Sequence, residues 1–507
     1  MYPIDFFYRS ARLFPNQIAI ESTSEQLTYC ELAEKVDALA AAFQTFDPEP
    51  QSRVGICASN SVDHLVALLA VLAAGKTWVP LNPRSSAPEL NRIIEVTQPS
   101  ILVADAKYLA VMQLETGLHL LVTGTGDDAH KGLRQFTVDY AGKKPTPITA
   151  SMDAVQAIKF TGGSTGMPKG VMQPYRAWAA TLINQIHAYR FDQHDRYLLA
   201  APVTHGASTY VLPILAQGGR HVILDEVNPK SVLNAFRKQG ISTTFMPPTL
   251  IYMLMAEAGC DAESFPALRH LIYGGAPMPT EKIRSVQRFF GPVLETTYGQ
   301  TEAPQIVTFM SADEFALEEN IASVGRMALV SDMAIMSPEG DLLPIGKVGE
   351  IVVRGDLVMT GYWKMPEMTA QTIINGWLHT GDRGYLDARG YLYLRDRLRE
   401  VIITGGFNVY PIDVENVLTQ HPAVHESAVF GLDDDKWGEA VHAAVQLKPG
   451  QHVSEQDLIA YAKNELGSVK APKRVYFYPS LPRSAVGKVQ KDLLKREISG
   501  QIQAAIK

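Results

Sequence analysis

A glycine-rich segment near the middle of the chain has the residue types of a phosphate-binding loop. It runs Phe160-Thr-Gly-Gly-Ser-Thr-Gly-Met-Pro-Lys-Gly170 and follows an apolar stretch. Glycines let backbone N–H groups approach an anion closely, hydroxyl groups add donors, and Lys169 supplies a mobile positive charge. The segment lacks the Gly-Lys-Ser/Thr ending of a Walker A loop. The alternative is a flexible solvated turn, and the residue types favour phosphate binding over it.

A second segment has the Walker A ending without the rest of the motif. Gly75-Lys-Thr77 ends in the right residues, but Ala70 stands where the first glycine of the motif would be. The surrounding pattern of apolar residues is helical. The sequence therefore predicts the C-terminus of a helix at Gly75 and not a nucleotide loop.

Six further segments follow the glycine-rich loop in an order that is typical of one superfamily. They are Gly274-Gly-Ala-Pro277, Tyr298-Gly-Gln-Thr-Glu302, His379-Thr-Gly-Asp382, Asp396-Arg-Leu-Arg-Glu400, Thr404-Gly-Gly-Phe-Asn-Val-Tyr-Pro411 and Leu481-Pro-Arg-Ser-Ala-Val-Gly-Lys488. Together with Thr161 to Gly170 they resemble the motifs of the adenylate-forming superfamily. That superfamily contains acyl-CoA and aryl-CoA synthetases, firefly luciferase and the adenylation domains of peptide synthetases. The chain is most similar to a bacterial acyl- or aryl-CoA ligase, and the resemblance covers nearly its whole length.

The chain departs from the superfamily motifs at a few positions. Gly162 replaces the usual serine and Ser164 the usual threonine, so the loop is expected to hold phosphate with one donor fewer. Asp396 replaces a glycine, and Lys491 stands where arginine is common.

The resemblance implies a set of ATP-binding residues in four segments and at one arginine. The tyrosine would stack near adenine, and the aspartate of the His-Thr-Gly-Asp segment would bond both ribose hydroxyls. The implied positions are Thr161, Gly163, Ser164, Thr165, Gly166, Lys169, Gly275, Ala276, Pro277, Thr297, Tyr298, Gly299, Asp382 and Arg397.

Four residues are implied to act directly on the reacting groups. Thr301 would contact the α-phosphate, and Glu302 would hold Mg2+, a hard cation that keeps few protein ligands beside phosphate oxygens. Lys488 would lie between the substrate carboxylate and the α-phosphate as a fixed cation. His205 is a candidate gate beside the carboxylate, although a lone histidine is more often structural.

The second half of the implied reaction needs a thiol. After a carboxylate attacks the α-phosphorus of ATP and releases pyrophosphate, coenzyme A would attack the acyl carbon and release AMP. Arg399 matches the hinge about which the C-terminal domain turns between the two steps. Gly405 and Gly406 match glycines that line a pantetheine tunnel, and Trp437 resembles a pantetheine-side tryptophan. A tight turn and ordinary packing are the alternatives for these residues.

The identity of the acid must be inferred from the candidate pocket. The segment 197–210, which includes Pro202-Val-Thr-His-Gly206, contains no acidic residue for an amino group and no arginine for a second carboxylate. A monocarboxylic acid with an uncharged aromatic or medium-length tail is therefore expected. The thiol acceptor stays open, because Lys470 and Lys473 offer cations either for coenzyme A or for an acidic acyl carrier protein.

Other function classes are weaker. A nucleotide-binding protein without turnover is disfavoured because Glu302, Asp382, Arg397 and Lys488 are all present. A luciferase-type oxygenation uses the same frame and stays open. The expectation is an AMP-forming acyl-CoA synthetase that uses ATP, Mg2+ and coenzyme A. A stand-alone enzyme that loads an acyl group onto a carrier protein is the alternative.

Short apolar runs that alternate with helical patterns must position these residues. Buried parallel strands with helices on both faces are predicted at short apolar runs that include Arg53–Cys57, Thr77–Pro80, Ile101–Ala104, Ala157–Phe160, Val222–Leu224 and Leu271–Tyr273. Alternating strands after about residue 320, such as Gly349–Arg354, predict a small barrel-like subdomain. The resulting fold class is α/β, with a large N-terminal domain over 1–396 and a smaller, mobile α+β C-terminal domain over 397–507.

Composition excludes several classes of protein. The chain has 507 residues, with 46 lysines and arginines against 53 aspartates and glutamates, a formal net charge of −7. This length predicts about three folding units. The acidic balance argues against nucleic-acid binding. Three scattered cysteines form neither a disulfide framework nor a zinc site, which suggests a reducing, cytoplasmic location. The most apolar run, Leu65 to Ala74, is too short for the roughly 20 residues of a membrane span, and no signal peptide is expected.

Overall fold

The structure, a computed structural model, describes most of the chain. The described residues are 1–114, 116–126, 130–161, 169–257, 265–275, 278, 280–397, 402–409, 411–482, 489 and 491–506. They form two compact units. The large unit consists of Met1–Pro83, Ile93–Phe160 and Gly170–Asp396, and the small unit of Arg84–Arg92, Thr161–Lys169 and Arg397–Lys507.

Helices and strands alternate along most of the described chain. The helices are α1 (Pro3–Leu13), α2 (Tyr29–Phe46), α3 (Val62–Ala73), α4 (Ala87–Thr97), α5 (Ala106–Leu109), α6 (Leu133–Asp139), α7 (Tyr175–Tyr189), α8 (Val211–Ala216), α9 (Pro229–Lys238), α10 (Pro248–Met255), α11 (Thr280–Phe290), α12 (Ala312–Phe315), α13 (Pro366–Thr372), α14 (Pro411–Gln420), α15 (Glu455–Lys470) and α16 (Lys491–Ile506), with 3-10 turns at Gly206–Tyr210 and Glu318–Asn320. The strands are β1 (Ile18–Glu21), β2 (Gln26–Thr28), β3 (Arg53–Cys57), β4 (Thr77–Pro80), β5 (Ile101–Ala104), β6 (His119–Val122), β7 (Val155–Thr161), β8 (Lys169–Pro174), β9 (Arg196–Leu198), β10 (Arg220–Val222), β11 (Thr243–Met246), β12 (His270–Tyr273), β13 (Leu294–Tyr298), β14 (Thr308–Met310), β15 (Arg326–Met327), β16 (Asp332–Met336), β17 (Gly349–Arg354), β18 (Gly361–Tyr362), β19 (Ile373–Ile374), β20 (Trp377–Leu386), β21 (Leu392–Arg397), β22 (Ile402–Thr404), β23 (Phe407–Val409), β24 (Val424–Asp434), β25 (Gly438–Leu447) and β26 (Arg474–Phe477).

Two mainly parallel sheets carry the large unit. One has the strand order β18-β8-β7-β4-β3-β5-β6, and the other β15-β14-β13-β12-β11-β9-β10-β1-β2. The predicted strands Arg53–Cys57, Thr77–Pro80 and Ile101–Ala104 are confirmed residue for residue. Their apolar side chains are buried on both faces of the sheet, as expected for strands that helices cover. The predicted α/β fold class is confirmed.

One strand was predicted two residues too late. The apolar run Val222–Leu224 was expected to be a strand, but β10 ends at Val222, where its parallel pairing with β9 ends. Ile223 and Leu224 are buried without belonging to the strand. Apolar residue types report burial, whereas a strand also needs a neighbour for its backbone, which is why the bounds differ.

The strongly apolar helix α3 is buried along its whole length. Ser61 begins the helix as its N-cap, accepting a hydrogen bond from the backbone N–H of His64. Gly75 follows the helix with a φ of +68°, a conformation that favours glycine, so the predicted helix C-terminus is confirmed. Within the described residues, α3 and every other helix fall short of the length and apolarity that crossing a bilayer requires.

A third sheet of the large unit is antiparallel. Its strand order is β16-β17-β20-β19, and β21 pairs with β20. The predicted strand Gly349–Arg354 is β17, and the core around it contains Ile351, Val353 and Leu378. This sheet is the barrel-like subdomain that the alternating pattern predicted.

The small unit has its own sheet and its own core. The strand order is β23-β22-β25-β24, and β26 adds in parallel beside β25. Helices α14 and α15 cover this sheet through Val414, Leu418 and Leu458, which are buried with Val429 and Val441. The predicted α+β character of this region is confirmed.

A buried carboxylate ties together the starts of three parallel strands in the large unit. Asp195 precedes β9 and accepts hydrogen bonds from Ser242 Oγ at 2.6 Å, Thr243 Oγ1 at 2.9 Å and Arg269 Nη2 at 2.8 Å, next to β11 and β12. Burial raises the pKa of Asp195, but the hydrogen bonds from Ser242 and Arg269 outweigh it and hold the pKa below its ordinary value. The ionised carboxylate therefore stabilises the folded state.

Replacing this carboxylate should destabilise the large unit. We expect Asp195→Ala to lower the free energy of unfolding by about 2–4 kcal/mol, because it leaves buried donors unpaired. The matched control is Asp192→Ala, whose half-exposed carboxylate also meets Arg269 and should cost less than about 1 kcal/mol. Because the folded-state pKa is depressed, the wild-type advantage should be present above about pH 4 and be lost as pH falls through that pKa. Urea unfolding of both variants across pH measures this, and equal losses in the two variants would contradict it.

Candidate active site

Three loops, which follow the carboxyl ends of β9, β12 and β13, come into close contact at glycine residues. A Cβ atom at Gly299 would lie 2.5 Å from the carbonyl carbon of Gln305, and one at Gly274 would lie 2.9 Å from Thr297 O. A Cβ atom at Gly206 would lie 2.9 Å from Gln305 Oε1. At Gly274 and Gly299 these close atoms belong to the backbone, so only a residue without a side chain allows these approaches. The structure thus brings together three motifs whose glycines lie 25 to 93 residues apart in the sequence, at the edge where parallel sheets bind ligands.

Asp382 lies in the large unit in contact with the Tyr298 motif. The buried Asp382 carboxylate accepts hydrogen bonds at Oδ2 from Tyr298 OH at 2.9 Å and from Gln300 Nε2 at 2.7 Å. The turn that carries Asp382 is held by Glu350, which accepts a hydrogen bond from Gly381 N and meets His379 Nδ1 at 2.8 Å. These contacts fix the position of the aspartate that the sequence implies for ribose.

The Glu302 carboxylate is half-buried and fixed in place. Its Oε1 accepts a hydrogen bond from Tyr362 OH at 2.8 Å, and its backbone oxygen accepts one from Met359 N at 2.8 Å. Thr301, also half-buried, is held through its backbone oxygen, which accepts from Gln173 Nε2 at 2.8 Å. Among the residues whose placement is described, no cluster of three His, Cys, Asp or Glu side chains converges. A single fixed carboxylate fits Mg2+, which takes its remaining ligands from phosphate and water.

His205, the candidate gate, has an exposed side chain at the start of the turn Gly206–Tyr210. Its Nδ1 lies 3.1 Å from Thr204 Oγ1. Three residues later in the chain, Ser208 Oγ donates a hydrogen bond to His205 O at 2.7 Å, which fixes the backbone of the turn. The gate function stays a prediction.

A stack of aromatic rings lies beside the junction of the three loops. The rings of Tyr197 and Tyr210 are stacked with centroids 5.6 Å apart, and those of Tyr210 and Phe245 with centroids 5.2 Å apart. Gln305 Nε2 donates a hydrogen bond to Tyr210 OH at 3.3 Å, and burial raises the pKa of that phenol, which keeps it neutral. A Cβ atom at Gly206 would lie 3.2 Å from Phe245, so this largely apolar wall reaches the loop junction.

A buried lysine lies behind the same turn. Lys159, in strand β7, donates from Nζ to Ser208 Oγ at 2.7 Å. The same Nζ lies 5.1 Å from the ring centre of Trp78 and 5.2 Å from that of Trp178, a cation–π arrangement. Burial lowers the pKa of Lys159 to about 7. No carboxylate of the described chain forms an ion pair with it.

Sequence analysis missed several of these residues. Lys159 is a lone charge inside the apolar strand Val155–Thr161, and that signal could have singled it out. Tyr362 and Gln305 gave no signal, because their contacts with Glu302 and Tyr210 join distant parts of the sequence. Gln300 lies inside the Tyr298 motif at the position where the superfamily varies.

Several predicted residues lie partly or wholly outside the described structure. Thr161 ends β7 and the buried Lys169 begins β8. The backbone of Arg397 ends β21. The predicted residues outside the described ranges are Gly163, Ser164, Thr165, Gly166, Ala276, Pro277, Arg399 and Lys488. Their functions stay predictions.

The three predicted thiol-side residues lie together in the small unit. Gly405 and Gly406 have φ values of +61° and +79°, and Gly405 N donates to Trp437 O at 2.9 Å. A Cβ atom at Gly405 would lie 3.2 Å from the Trp437 ring. Lys436 Nζ and Lys473 Nζ lie 4.7 and 5.3 Å from the centre of that ring. Burial, with nearby Lys463, lowers the pKa of Lys473. The arrangement is a half-buried aromatic face with two cations.

Comparison with known families agrees with these motifs. The family described as AMP-binding enzyme matches residues 7–363, and its C-terminal domain family matches residues 413–488. The chain belongs to the AMP-binding, adenylate-forming superfamily. It is an AMP-forming adenylating acid–CoA ligase of that superfamily.

Relatives of this ligase differ in the acids that their names give. It is 31% identical to the medium/long-chain-fatty-acid–CoA ligase FadD8 of Mycobacterium tuberculosis, over 93% of this chain and 85% of the relative. It is 33% identical to a feruloyl-CoA synthase of an Amycolatopsis species, over 96% and 97% of the two chains. Among solved structures, the amide bond synthetase McbA of Marinactinospora thermotolerans matches with a TM-score of 0.90 and 29% identity, covering 98% and 99%.

Burial of the Lys159 ammonium group should lower the stability of the ligase at neutral pH. We expect Lys159→Met to raise the free energy of unfolding by about 2–4 kcal/mol at pH 7, because it removes an ammonium group held without a carboxylate. Since the folded-state pKa is about 7 and the ordinary value is 10.5, the unfolded chain binds more protons between these values. Wild-type stability should therefore rise with pH over that window, and the advantage of the variant should shrink.

The control is another buried lysine with different partners. Lys76 Nζ donates to Asp47 O at 2.5 Å and Glu49 O at 2.6 Å, so Lys76→Met leaves two carbonyl oxygens without their donor and should destabilise the protein. Chemical unfolding at several pH values separates the two variants. Destabilisation by Lys159→Met at every pH would refute the expected cost of its burial.

Proposed function

We propose that this ligase activates a monocarboxylic acid with a hydrophobic tail, aromatic or of medium chain length, as its acyl-adenylate. It then transfers the acyl group to coenzyme A and releases AMP. The observation that carries this proposal is the junction of three loops in the large unit. There Glu302 lies on the loop after β13, and Asp382 of β20 is hydrogen-bonded to Tyr298 and Gln300 of that loop. The aromatic rings of Tyr210 and Phe245 adjoin the same loop.

In the first half of the reaction, an anion must approach a polyanion, so charge neutralisation dominates. Asp382 binds the ribose hydroxyls, with Tyr298 beside the adenine. Glu302 holds Mg2+, which neutralises phosphate charge when bound, and Thr301 contacts the α-phosphate. Lys169 and the amides of its loop supply further positive charge. Lys488 fixes the substrate carboxylate against the α-phosphate.

We expect the acid pocket to reject an acid whose tail carries a second charge and to bind an acid whose tail is apolar. The Tyr197, Tyr210 and Phe245 rings form its wall, and the phenols stay neutral because burial raises their pKa values. An unpaired charge brought against such a wall costs several kcal/mol, which is about a thousandfold in discrimination. His205 closes the carboxylate end.

The second half of the reaction belongs to the small unit. Gly405 and Gly406 leave room for a pantetheine arm beside Trp437, and Lys436 and Lys473 supply cations for its phosphate groups. Arg399 is the hinge that exchanges the two halves, and we place the domain boundary at 396/397. Both assignments rest on the motifs in the sequence.

Two other acceptors are candidates. The cations near Trp437 suit an acidic acyl carrier protein as well as coenzyme A. The overall similarity to an amide bond synthetase favours an amine as a further candidate acceptor. All three acceptors use the same adenylate, so they leave the first half-reaction unchanged.

Replacing Lys488 should slow the first half-reaction and spare the second. We expect Lys488→Ala to lower the rate of acyl-adenylate formation by about a hundredfold or more, because it removes a preorganised charge from the transition state. Thioester formation from synthetic acyl-adenylate should persist. Lys495→Ala in helix α16 is the matched control and should leave both rates near wild type. An equal loss of both half-reactions in Lys488→Ala would refute this role.

The acid and the acceptor can be determined in one screen. Pyrophosphate release is measured with benzoate-like, cinnamate-like and fatty acids against amino acids and small dicarboxylates. We expect a preference of about a thousandfold for the hydrophobic acids over amino acids. Coenzyme A, a phosphopantetheine carrier protein and a primary amine are then compared as acceptors of the adenylate. A preference for an amino acid would overturn the acid assignment, and product formation with the amine alone would overturn the thiol assignment.

A further inference from the structure

We propose that Lys159 selects the acid by donating a hydrogen bond to an oxygen atom carried in the acid's tail, away from the reacting carboxylate. This inference rests on the proposed function, because it assigns a residue to the pocket of the same acid. The shared chemistry of the ligand is a neutral oxygen acceptor, a hydroxyl or a carbonyl. The tail is otherwise apolar.

The surroundings of Lys159 contain more donors than acceptors. An ammonium group carries three N–H donors, and among the described residues Lys159 Nζ has one hydrogen-bond acceptor, Ser208 Oγ at 2.7 Å. The rings of Trp78 and Trp178 face the ammonium group at 5.1 and 5.2 Å but accept no conventional hydrogen bond. Trp78 is fully buried, and its Nε1 has no partner among the described residues. A ligand oxygen would suit this group of donors.

Nothing in the packing of β7 requires a charge at this position. Ala157 and Ile158 are fully buried, and a buried polar group is costly when its hydrogen bonds are not made. Ser208 Oγ already donates to His205 O, so the turn is held without the lysine. A costly group without a structural need is typical of a binding site.

The position of Lys159 connects it to the acid pocket. Ser208 belongs to the turn Gly206–Tyr210, whose first residue lies against Gln305 and Phe245 at the loop junction. Trp178, which contacts Lys159, also lines a small cavity together with Thr209 of that turn and with Pro304, two residues after Glu302. Trp178 therefore links Lys159 to a cavity that Pro304 of the Glu302 loop also lines.

A donor on another strand accounts for the lack of a charged partner for the tail in the segment 197–210. This donor, Lys159, lies in β7 of the other mainly parallel sheet and contacts the turn through Ser208. A tail oxygen held there would distinguish acids of the same length and shape, which apolar contact alone does poorly.

The test compares matched acids with and without the tail oxygen. Hydrocinnamate is paired with its para-hydroxy and para-carboxy analogues, and octanoate with its keto analogue. For wild type we expect kcat/KM for pyrophosphate release to favour an oxygen-bearing member by about tenfold or more. Lys159→Met should bring that ratio close to one, mainly through KM. Ser208→Ala keeps the ammonium group and should keep the ratio within about threefold of wild type.

The outcomes separate this inference from the proposed function. If Lys159→Met lowers kcat/KM equally for both members of every pair, Lys159 only positions the turn and the inference is wrong. If wild type releases pyrophosphate with none of the acids, the proposed function fails, and calorimetric binding of the same pairs then decides the inference alone. Loss of the binding preference in Lys159→Met supports it, and an unchanged or absent preference overturns it. Preference for the para-carboxy over the para-hydroxy acid overturns the neutral acceptor.

Discussion

The close approach of the Thr297–Gln305 loop to two other loops is the constraint on which the site depends. Gly206, Gly274 and Gly299 each stand where a Cβ atom would come within 3 Å of that loop or its neighbour. Because the loops touch, the residues that follow Gly299 are held against Asp382 and Tyr362. The aromatic rings beside the loop are fixed by the same contacts, since Gln305 Nε2 donates a hydrogen bond to Tyr210 OH. One steric condition thus positions the motif residues and the aromatic rings together.

Two buried charged groups of the large unit differ in how well hydrogen bonds offset the cost of their burial. Asp195 is buried at the amino ends of the strands and is fully hydrogen-bonded, so it stays ionised and stabilises the fold. Lys159 is buried near the carboxyl end of β7, in the other mainly parallel sheet. Its hydrogen-bond partner is the Ser208 hydroxyl, so its ionised form is disfavoured. The strand starts are therefore built for stability. The carboxyl end of β7 keeps a buried charged group that is costly to the fold.

Sequence periodicity predicted the buried strands well and their bounds less well. Arg53–Cys57 and Ile101–Ala104 were predicted residue for residue, because strands covered on both faces read as unbroken apolar runs. The end of β10 was missed, because it depends on the pairing partner and not on the apolar run. In the candidate site, the sequence motifs predict functions for Asp382 and Glu302. Their partners Gln300 and Tyr362 were not predicted, because hydrogen bonds between segments 60 to 82 residues apart leave no local pattern.

The sequence by itself determined the superfamily, the two-part α/β organisation and the residue types of the adenylation chemistry. These depend on local patterns, namely apolar periodicity and short motifs in a fixed order. Tertiary structure alone decided which side chains hold those motifs in place and what surrounds Lys159. Lys159 shows the difference: in sequence it is one charge in an apolar strand. Only the packing of β7 against Trp78, Trp178 and Ser208 removes it from water and aims it at the turn behind the pocket.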